Sequence, residues 1–146
     1  MNRDRLYEEI KADEGEVLEV YEDHLGYPTI GIGHLVTPED EEFGEPIGTP
    51  ITAERSRELF DRDIEYAIEG CEPLYGQWHN WPEEVQLIMV NMCFNLGATR
   101  LSKFMNMKNM LSQGKWKEAA NEGRDSLWYR QVTNRAERLM KRLENV

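Results

Sequence analysis

The sequence predicts an α+β protein with a small N-terminal β-hairpin lobe and a larger, mostly α-helical lobe. Three observations indicate this class. Period-two patterning with β-branched and aromatic residues is confined to residues 17–32. Helical periodicity covers most of the remaining chain, and glycine or proline separates the segments.

One domain is expected over residues 1–146, since a chain of this length can bury a single core. The hairpin lobe should span about residues 13–50 and a connecting helix about residues 52–70. The helical lobe should span about residues 71–146 and include the first helix. A cleft between the lobes is where a functional site is expected.

The helices are placed by their caps and stops. Asn2 and Gly15 bound the first helix, and Thr52 caps the connecting helix, which runs up to Gly70. A turn at residues 24–26 closes the hairpin, a third short strand is possible after His34, and residues 43–50 form a loop. The later helices are expected at residues 82–96, the central buried helix, and then at 101–113, 115–122, 125–130 and 133–143, with Gly97, Gly114 and Gly123 as stops.

Composition excludes several classes of function. The chain has 17 Lys and Arg against 28 Asp and Glu, a net charge of −11, which disfavours attraction to nucleic acid. No apolar run reaches the roughly 18 residues of a membrane span, and the charged N-terminus does not resemble a signal peptide, so synthesis in the cytoplasm is expected. Cys71 and Cys93 have no metal-ligand spacing, and neither a metal nor another cofactor is indicated.

Three side chains near the hairpin could carry chemistry. Glu14 ends the first helix, Asp23 lies at the hairpin tip, and Thr29 lies on the returning strand. Two carboxylates and a hydroxyl brought together in this way suit cleavage of a glycosidic bond with a positioned water. Each also has an ordinary explanation: a solvated helix end, a turn aspartate and a strand threonine. His34 is either a base or, by preference, a structural histidine paired with a carboxylate such as Asp63.

Gly31 and Gly33 alternate with isoleucines along the second strand. Glycines on one face leave bare backbone, so close approach of another group to that face is expected. A phosphate-binding loop is disfavoured because no helix with a third glycine follows.

Several motifs together resemble a known family. They are D-E-G at residues 13–15, Y-E-D-H-L-G-Y-P-T-I-G-I-G-H at 21–34, N-M-C-F-N-L-G at 91–97 and W-Y-R-Q-V-T-N-R-A at 128–136. In this order they resemble the T-even phage lysozymes, the endolysin muramidases, over nearly the whole chain, which implies a lysozyme-like fold. The resemblance implies hydrolysis of the β-1,4 bond between N-acetylmuramic acid and N-acetylglucosamine in bacterial peptidoglycan, and lysis of the host cell.

The resemblance also implies roles for the three candidate side chains. Glu14 resembles the proton donor to the departing sugar oxygen, Asp23 the carboxylate that holds the attacking water, and Thr29 the residue that orients this water. Family members of this kind invert the anomeric centre, which requires carboxyl groups roughly 6.5 to 9.5 Å apart.

Substrate binding is implied for four further residues: Leu35, Phe94, Phe104 and Arg135. The first three would line the cleft, although Phe94 and Phe104 could belong only to the core, and Arg135 resembles an arginine that pairs with the catalytic glutamate. Met107 and Glu122 stand where the family has a serine and an asparagine that contact substrate.

The implied partner is peptidoglycan, bound by a monomer that waits in the host cytoplasm until another protein opens the inner membrane. The net charge departs from the family's basic character, so activity is expected to rise with ionic strength. Two alternatives stay open: a lytic transglycosylase, which needs no water-holding aspartate, and an inactive glycan-binding protein that kept the fold.

Overall fold

Eight α-helices and one three-stranded sheet form the chain in the computed structural model, which describes residues 1–146. The predicted α+β class is confirmed, with all three strands near the N-terminus and helices in the rest of the chain. In chain order the elements are α1 (Arg3–Glu14), β1 (Val17–Glu22), β2 (Pro28–Gly31), β3 (His34–Leu35), α2 (Ala53–Cys71), a 3-10 helix (Trp78–Asn80), α3 (Glu83–Leu96), α4 (Ala98–Leu101), α5 (Met105–Ser112), α6 (Trp116–Arg124), α7 (Leu127–Gln131) and α8 (Thr133–Glu144).

Two compact units divide the chain. The sheet unit comprises residues 3–65 and contains α1, the sheet and most of α2. The helical unit comprises residues 66–146 together with residues 1–2. The lobes expected from the sequence, and the cleft between them, stay predictions.

The sheet is antiparallel in the order β1-β2-β3. Tyr21 pairs with Thr29 and Glu22 with Pro28, so the first hairpin is centred on Leu25, where the sequence predicted a turn. The third strand pairs Ile30 with His34 and is confirmed.

Local signals set the ends of α1 and α2 as predicted. Gly15 has a φ of +76°, which favours glycine, and its N–H donates to the carbonyl of Lys11. The Thr52 hydroxyl accepts a 3.0 Å hydrogen bond from the N–H of Arg55 and thereby caps α2.

The core of the helical unit is α3. It buries nine of its 14 residues, in agreement with the prediction of a central buried helix, and Gly97 ends it with a φ of +84°. None of the helices in the chain combines the length and the apolarity needed to cross a membrane.

Two predicted helix boundaries are wrong. The helix expected over residues 101–113 is divided, because α4 ends at Leu101 and α5 begins only at Met105. Between them the Ser102 hydroxyl donates a hydrogen bond to the carbonyl of Thr99. Hydrogen bonds of this kind, from a side chain to the nearby backbone, favour a local turn over a continuous helix.

Gly123 does not stop a helix as predicted. It lies inside α6, is buried, and faces Met140 on α8 so closely that a Cβ atom at this position would overlap the methionine sulfur. The glycine is therefore explained by the close approach of two helices, which the sequence pattern alone could not distinguish from a stop.

Candidate active site

Glu14 is the last residue of α1, and its carboxylate lies against the backbone of Gly33. A Cβ atom at Gly33 would stand 2.9 Å from Oε2 of Glu14, and the φ of +65° there also favours glycine. A Cβ atom at Gly31 would stand 2.9 Å from the Ser56 hydroxyl oxygen. The close approach predicted for this face is thus made by the protein's own side chains.

Asp23 lies at the tip of the first hairpin, as predicted, and its carboxylate is held by the turn. Oδ1 accepts hydrogen bonds of 2.9 Å from the backbone N–H groups of Leu25 and Tyr27. The Tyr27 N–H, together with that of Leu25, outweighs desolvation and lowers the pKa of the Asp23 carboxyl. Asp23 is therefore ionised at neutral pH.

Tyr21 lies within the electrostatic influence of both carboxylates. Partial burial raises the pKa of its phenol, and the negative charges of Glu14 and Asp23 raise it further. Glu14, Asp23 and Tyr21, whose charges interact in this way, form the electrostatic site of the sheet unit.

Thr29 occupies the centre of the sheet, paired with Tyr21 on one side and with Leu35 on the other. Its side chain is buried, and its hydroxyl donates a 3.0 Å hydrogen bond to the carbonyl of Tyr27. The hydroxyl oxygen keeps its capacity to accept a hydrogen bond. Leu35 is 49% exposed, so it is accessible to a ligand.

His34 is the structural histidine that the sequence favoured, and the pairing with Asp63 is confirmed. Its Nδ1 lies 2.7 Å from Oδ2 of Asp63, and its Nε2 lies 2.7 Å from Oδ2 of Asp40. Burial lowers the pKa of the imidazole, but the two carboxylates outweigh burial and raise it overall. Since both ring nitrogens are engaged, His34 is not placed as a base.

Asp40 completes this network. Burial raises the pKa of its carboxyl, but His34, the Thr37 N–H and Arg62 outweigh burial and lower it to about 2. Its side chain is fully buried, and Oδ1 accepts a 3.0 Å hydrogen bond from Arg62. The network ties β3 and the following turn to α2.

A pocket of about 350 Å³ lies within the helical unit and includes three residues singled out in the sequence: Phe104, Met107 and Glu122. The Phe104 ring packs edge-on against Trp128 with 6.3 Å between centroids. Met107 is 1% exposed, so its side chain belongs mainly to the core. Lys103 also lines this pocket, which therefore has charges of both signs.

Phe94 is partly buried on α3, and Arg135 is almost fully buried on α8. Nε and Nη2 of Arg135 donate to Oδ1 of Asn91 over 3.1 and 2.9 Å. The predicted contacts of Phe94 with substrate and of Arg135 with Glu14 stay predictions.

No group of three or more His, Cys, Asp and Glu side chains in the chain could hold a metal ion. Cys71 and Cys93 are buried free thiols, and a hydrogen bond between them raises the pKa of Cys71.

Comparison with known proteins decides the family. The phage lysozyme family profile matches residues 11–145, a range that includes the sheet and seven of the eight helices in full. The chain belongs to the phage lysozyme family. As a phage lysozyme it is a peptidoglycan hydrolase of the lysozyme type.

The relatives of this chain include proteins of similar length and one that is much longer. Probable T4-type lysozyme 1 of Dictyostelium discoideum is 34% identical over 92% of this chain and 91% of its own length. The endolysin of Salmonella phage P22 is 29% identical over 77% of this chain and 81% of its own length. The pre-baseplate central spike protein Gp5 of Enterobacteria phage T4 is 35% identical over 92% of this chain, but the chain spans only 26% of that protein.

The sequence analysis did not predict that Tyr21 lies opposite Thr29 and interacts with both carboxylates. The signal was present, because a hairpin centred on Leu25 places residue 21 opposite residue 29. The role of Asp40 was also missed, since its residue type in a Thr-Pro-Glu-Asp turn predicts only a local contact.

Proposed function

We propose that this chain is a muramidase that hydrolyses the β-1,4 bond between N-acetylmuramic acid and N-acetylglucosamine in peptidoglycan. Family membership supports the class of reaction. The finer assignment is supported by one observation above all: the Glu14 carboxylate lies against the sheet at Gly33, and Asp23 lies at the tip of the first hairpin of the same sheet. Two carboxylates around one site are what glycoside hydrolysis requires.

In the proposed reaction Glu14 donates its proton to the glycosidic oxygen as the bond to the anomeric carbon breaks. A water molecule forms the new bond to that carbon from the opposite face and gives its proton to Asp23. The low pKa of Asp23 keeps its carboxylate charged, so it also stabilises the positive charge that develops on the sugar ring. Attack from the opposite face inverts the β-linked centre to an α product.

Thr29 is proposed to orient the water. Its hydroxyl proton is directed to the Tyr27 carbonyl, which leaves the oxygen free to accept a hydrogen bond from water. The pairing of Thr29 with Leu35 places an exposed apolar side chain beside it for contact with the sugar.

The decisive experiment compares the natural chain with Glu14→Gln in turbidity assays on permeabilised Gram-negative cells. Loss of the acid at nearly constant shape should lower the lysis rate by more than about 100-fold. Glu8→Gln is the matched control, since Glu8 is exposed on the same helix and should be dispensable. Equal lysis by the two variants would contradict the role of Glu14.

The products separate hydrolysis from the transglycosylase alternative. Mass spectrometry should find reducing-end muramic acid, and proton NMR at early times should find its α anomer. A 1,6-anhydro product would contradict hydrolysis, and an initial β anomer would contradict inversion. An absence of any cleavage would support the glycan-binding alternative.

The proposed biological role is that of an endolysin, which acts as a monomer on peptidoglycan once another protein has opened the host membrane. The similarity to the P22 protein, which is named an endolysin, supports this setting. Before that step the protein would reside in the host cytoplasm.

A further inference from the structure

A second pocket of about 410 Å³ lies in the helical unit, between the 3-10 helix region and α5. All of its lining residues fall between residues 74 and 112, so none comes from the unit that contains Glu14 and Asp23. The side chains that matter for a ligand are Tyr75, Gln77, Asn80, Trp81, Lys108 and Ser112.

Trp81 gives this pocket a rigid aromatic wall. Its ring packs against Tyr75 with 5.5 Å between centroids and edge-on against Trp116 with 5.8 Å. Its backbone carbonyl accepts a 2.9 Å hydrogen bond from the side chain of Gln86. Because these contacts already hold the ring in one orientation, it loses little conformational entropy when a ligand packs on its remaining exposed surface.

The polar side chains of the pocket have unused hydrogen-bonding capacity. Gln77 precedes the 3-10 helix but does not cap it, and neither its amide nor that of Asn80 has a partner within the protein. Ser112 donates to the carbonyl of Asn109, so its oxygen can still accept. Amide and hydroxyl groups that converge beside an aromatic wall suit a ligand with both an apolar face and a polar rim.

The charge of the pocket further restricts the chemical class of ligand that it can bind. Lys108 is the one charged side chain that lines this pocket, and it has no ion pair within the protein, although the chain has a net charge of −11. A local positive charge in a negative protein favours a ligand that carries a carboxylate.

We propose that this pocket is a second saccharide-binding site, which takes an N-acetylated sugar bearing a carboxylate-containing substituent. The C–H face of the pyranose packs on Trp81, the acetamido and hydroxyl groups bond to Gln77 and Asn80, and the carboxylate pairs with Lys108. This inference rests on the proposed function, since peptidoglycan supplies such sugars in a polymer. A second point of attachment raises the effective concentration of the enzyme on this polymer.

An NMR titration of the full chain with N-acetylmuramic acid tests the pocket itself. The indole N–H of Trp81 and the side-chain amides of Gln77 and Asn80 should shift, and N-acetylglucosamine, which lacks the carboxylate, should bind at least about 3-fold more weakly. Lys108→Gln should abolish this preference, whereas Lys117→Gln, an equal change of charge on α6, should preserve it. The proposal is overturned if these signals do not move or if the two lysine variants behave alike.

A sedimentation assay with purified sacculi tests attachment to the polymer. In the Glu14→Gln background, the exposed double change Gln77→Ala and Asn80→Ala should weaken binding about 3- to 10-fold. The control Gln131→Ala, on α7, should bind as before. Unchanged binding of the double variant would overturn the role of the pocket in attachment. Failure of the muramidase assignment would instead appear in the products of the natural chain, as an absence of reducing-end muramic acid, so the two results are distinguishable.

Discussion

The sheet unit and the helical unit are stabilised by different interactions. In the sheet unit, one small apolar cluster of Val20, Ile30 and Leu59 is accompanied by buried ionic contacts around His34 and Arg55. In the helical unit, α3 buries nine residues, eight of them apolar in addition to Asn91. The unit that contains the candidate carboxylates therefore has deeply buried ion pairs, whereas the pairs of Arg124 with Glu137 and Glu144 in the helical unit are more exposed. Neutralising substitutions there should change activity or charge-dependent stability, while truncations of fully buried apolar residues of α3 should change stability by an amount that does not depend on pH.

The largest effect is expected from Asp23→Asn. Asparagine keeps an oxygen that can accept from Leu25 and Tyr27, so the turn should persist, but the charge that holds the water is lost. The lysis rate should fall by more than about 100-fold in turbidity assays, with the thermal midpoint nearly unchanged. Glu22→Gln, an exposed change on β1, is the control. A loss below tenfold would remove Asp23 from the mechanism.

Leu87→Ala should produce the largest loss of stability. The side chain is fully buried on α3, and its truncation leaves a cavity that costs about 2–5 kcal/mol of unfolding free energy. Urea unfolding should give the same cost at pH 5 and pH 7. Leu127→Ala, at a 58% exposed position, should change stability by less than about 0.5 kcal/mol. A pH-dependent cost for Leu87→Ala would break the contrast between the units.

Arg55→Met should destabilise the sheet unit by about 3 kcal/mol. Nε and Nη2 of Arg55 bind the carboxylate of Glu42 over 2.8 and 3.0 Å, and this carboxylate is almost fully buried. Removing the guanidinium leaves a buried charge, so adding Glu42→Met should recover part of the loss in urea unfolding. Arg5→Met, which breaks only an exposed pair with Glu9, should cost less than about 0.5 kcal/mol.

Asp40→Asn should reduce the acid sensitivity of the sheet unit. The pKa of Asp40 is lowered from 3.8 to about 2, so its contribution is present above pH 3.8 and is lost as the pH falls towards 2. Its size is about 2 kcal/mol. Unfolding free energies between pH 2 and 5 should therefore vary less in the variant than in the natural chain. Parallel curves would show that Asp40 does not contribute through its charge.

His34→Gln should have the smallest effect of these substitutions, a change in stability between pH 6 and 9. The pKa of His34 is raised above 6.5, so its charged form stabilises the fold below pH 6.5, and this contribution is lost as the pH rises through the folded-state pKa. The natural chain should lose stability as the pH increases from 6 to 9, and the variant should lose less. Thermal unfolding across this range measures the difference, and an identical slope in both proteins would contradict it.

The sequence was most informative where structure is local. The cap at Thr52 and the hairpin around Leu25 are set by neighbouring residues, so their patterns predicted them correctly. Gly123 was misinterpreted because a glycine that stops a helix and one that admits another helix look alike until the partner, Met140, is known. The same limit applies to the electrostatic site, since the influence of Glu14 on Tyr21 depends on how α1 meets the sheet.

The contact between Gly123 and Met140 has a chemical consequence. The Met140 side chain is fully buried, and an oxygen atom added to its sulfur on the side of Gly123 would overlap α6. Met105, by contrast, is 65% exposed. Under peroxide, sulfoxide should accumulate at Met105 first, and its later appearance at Met140 would record how often the two helices separate.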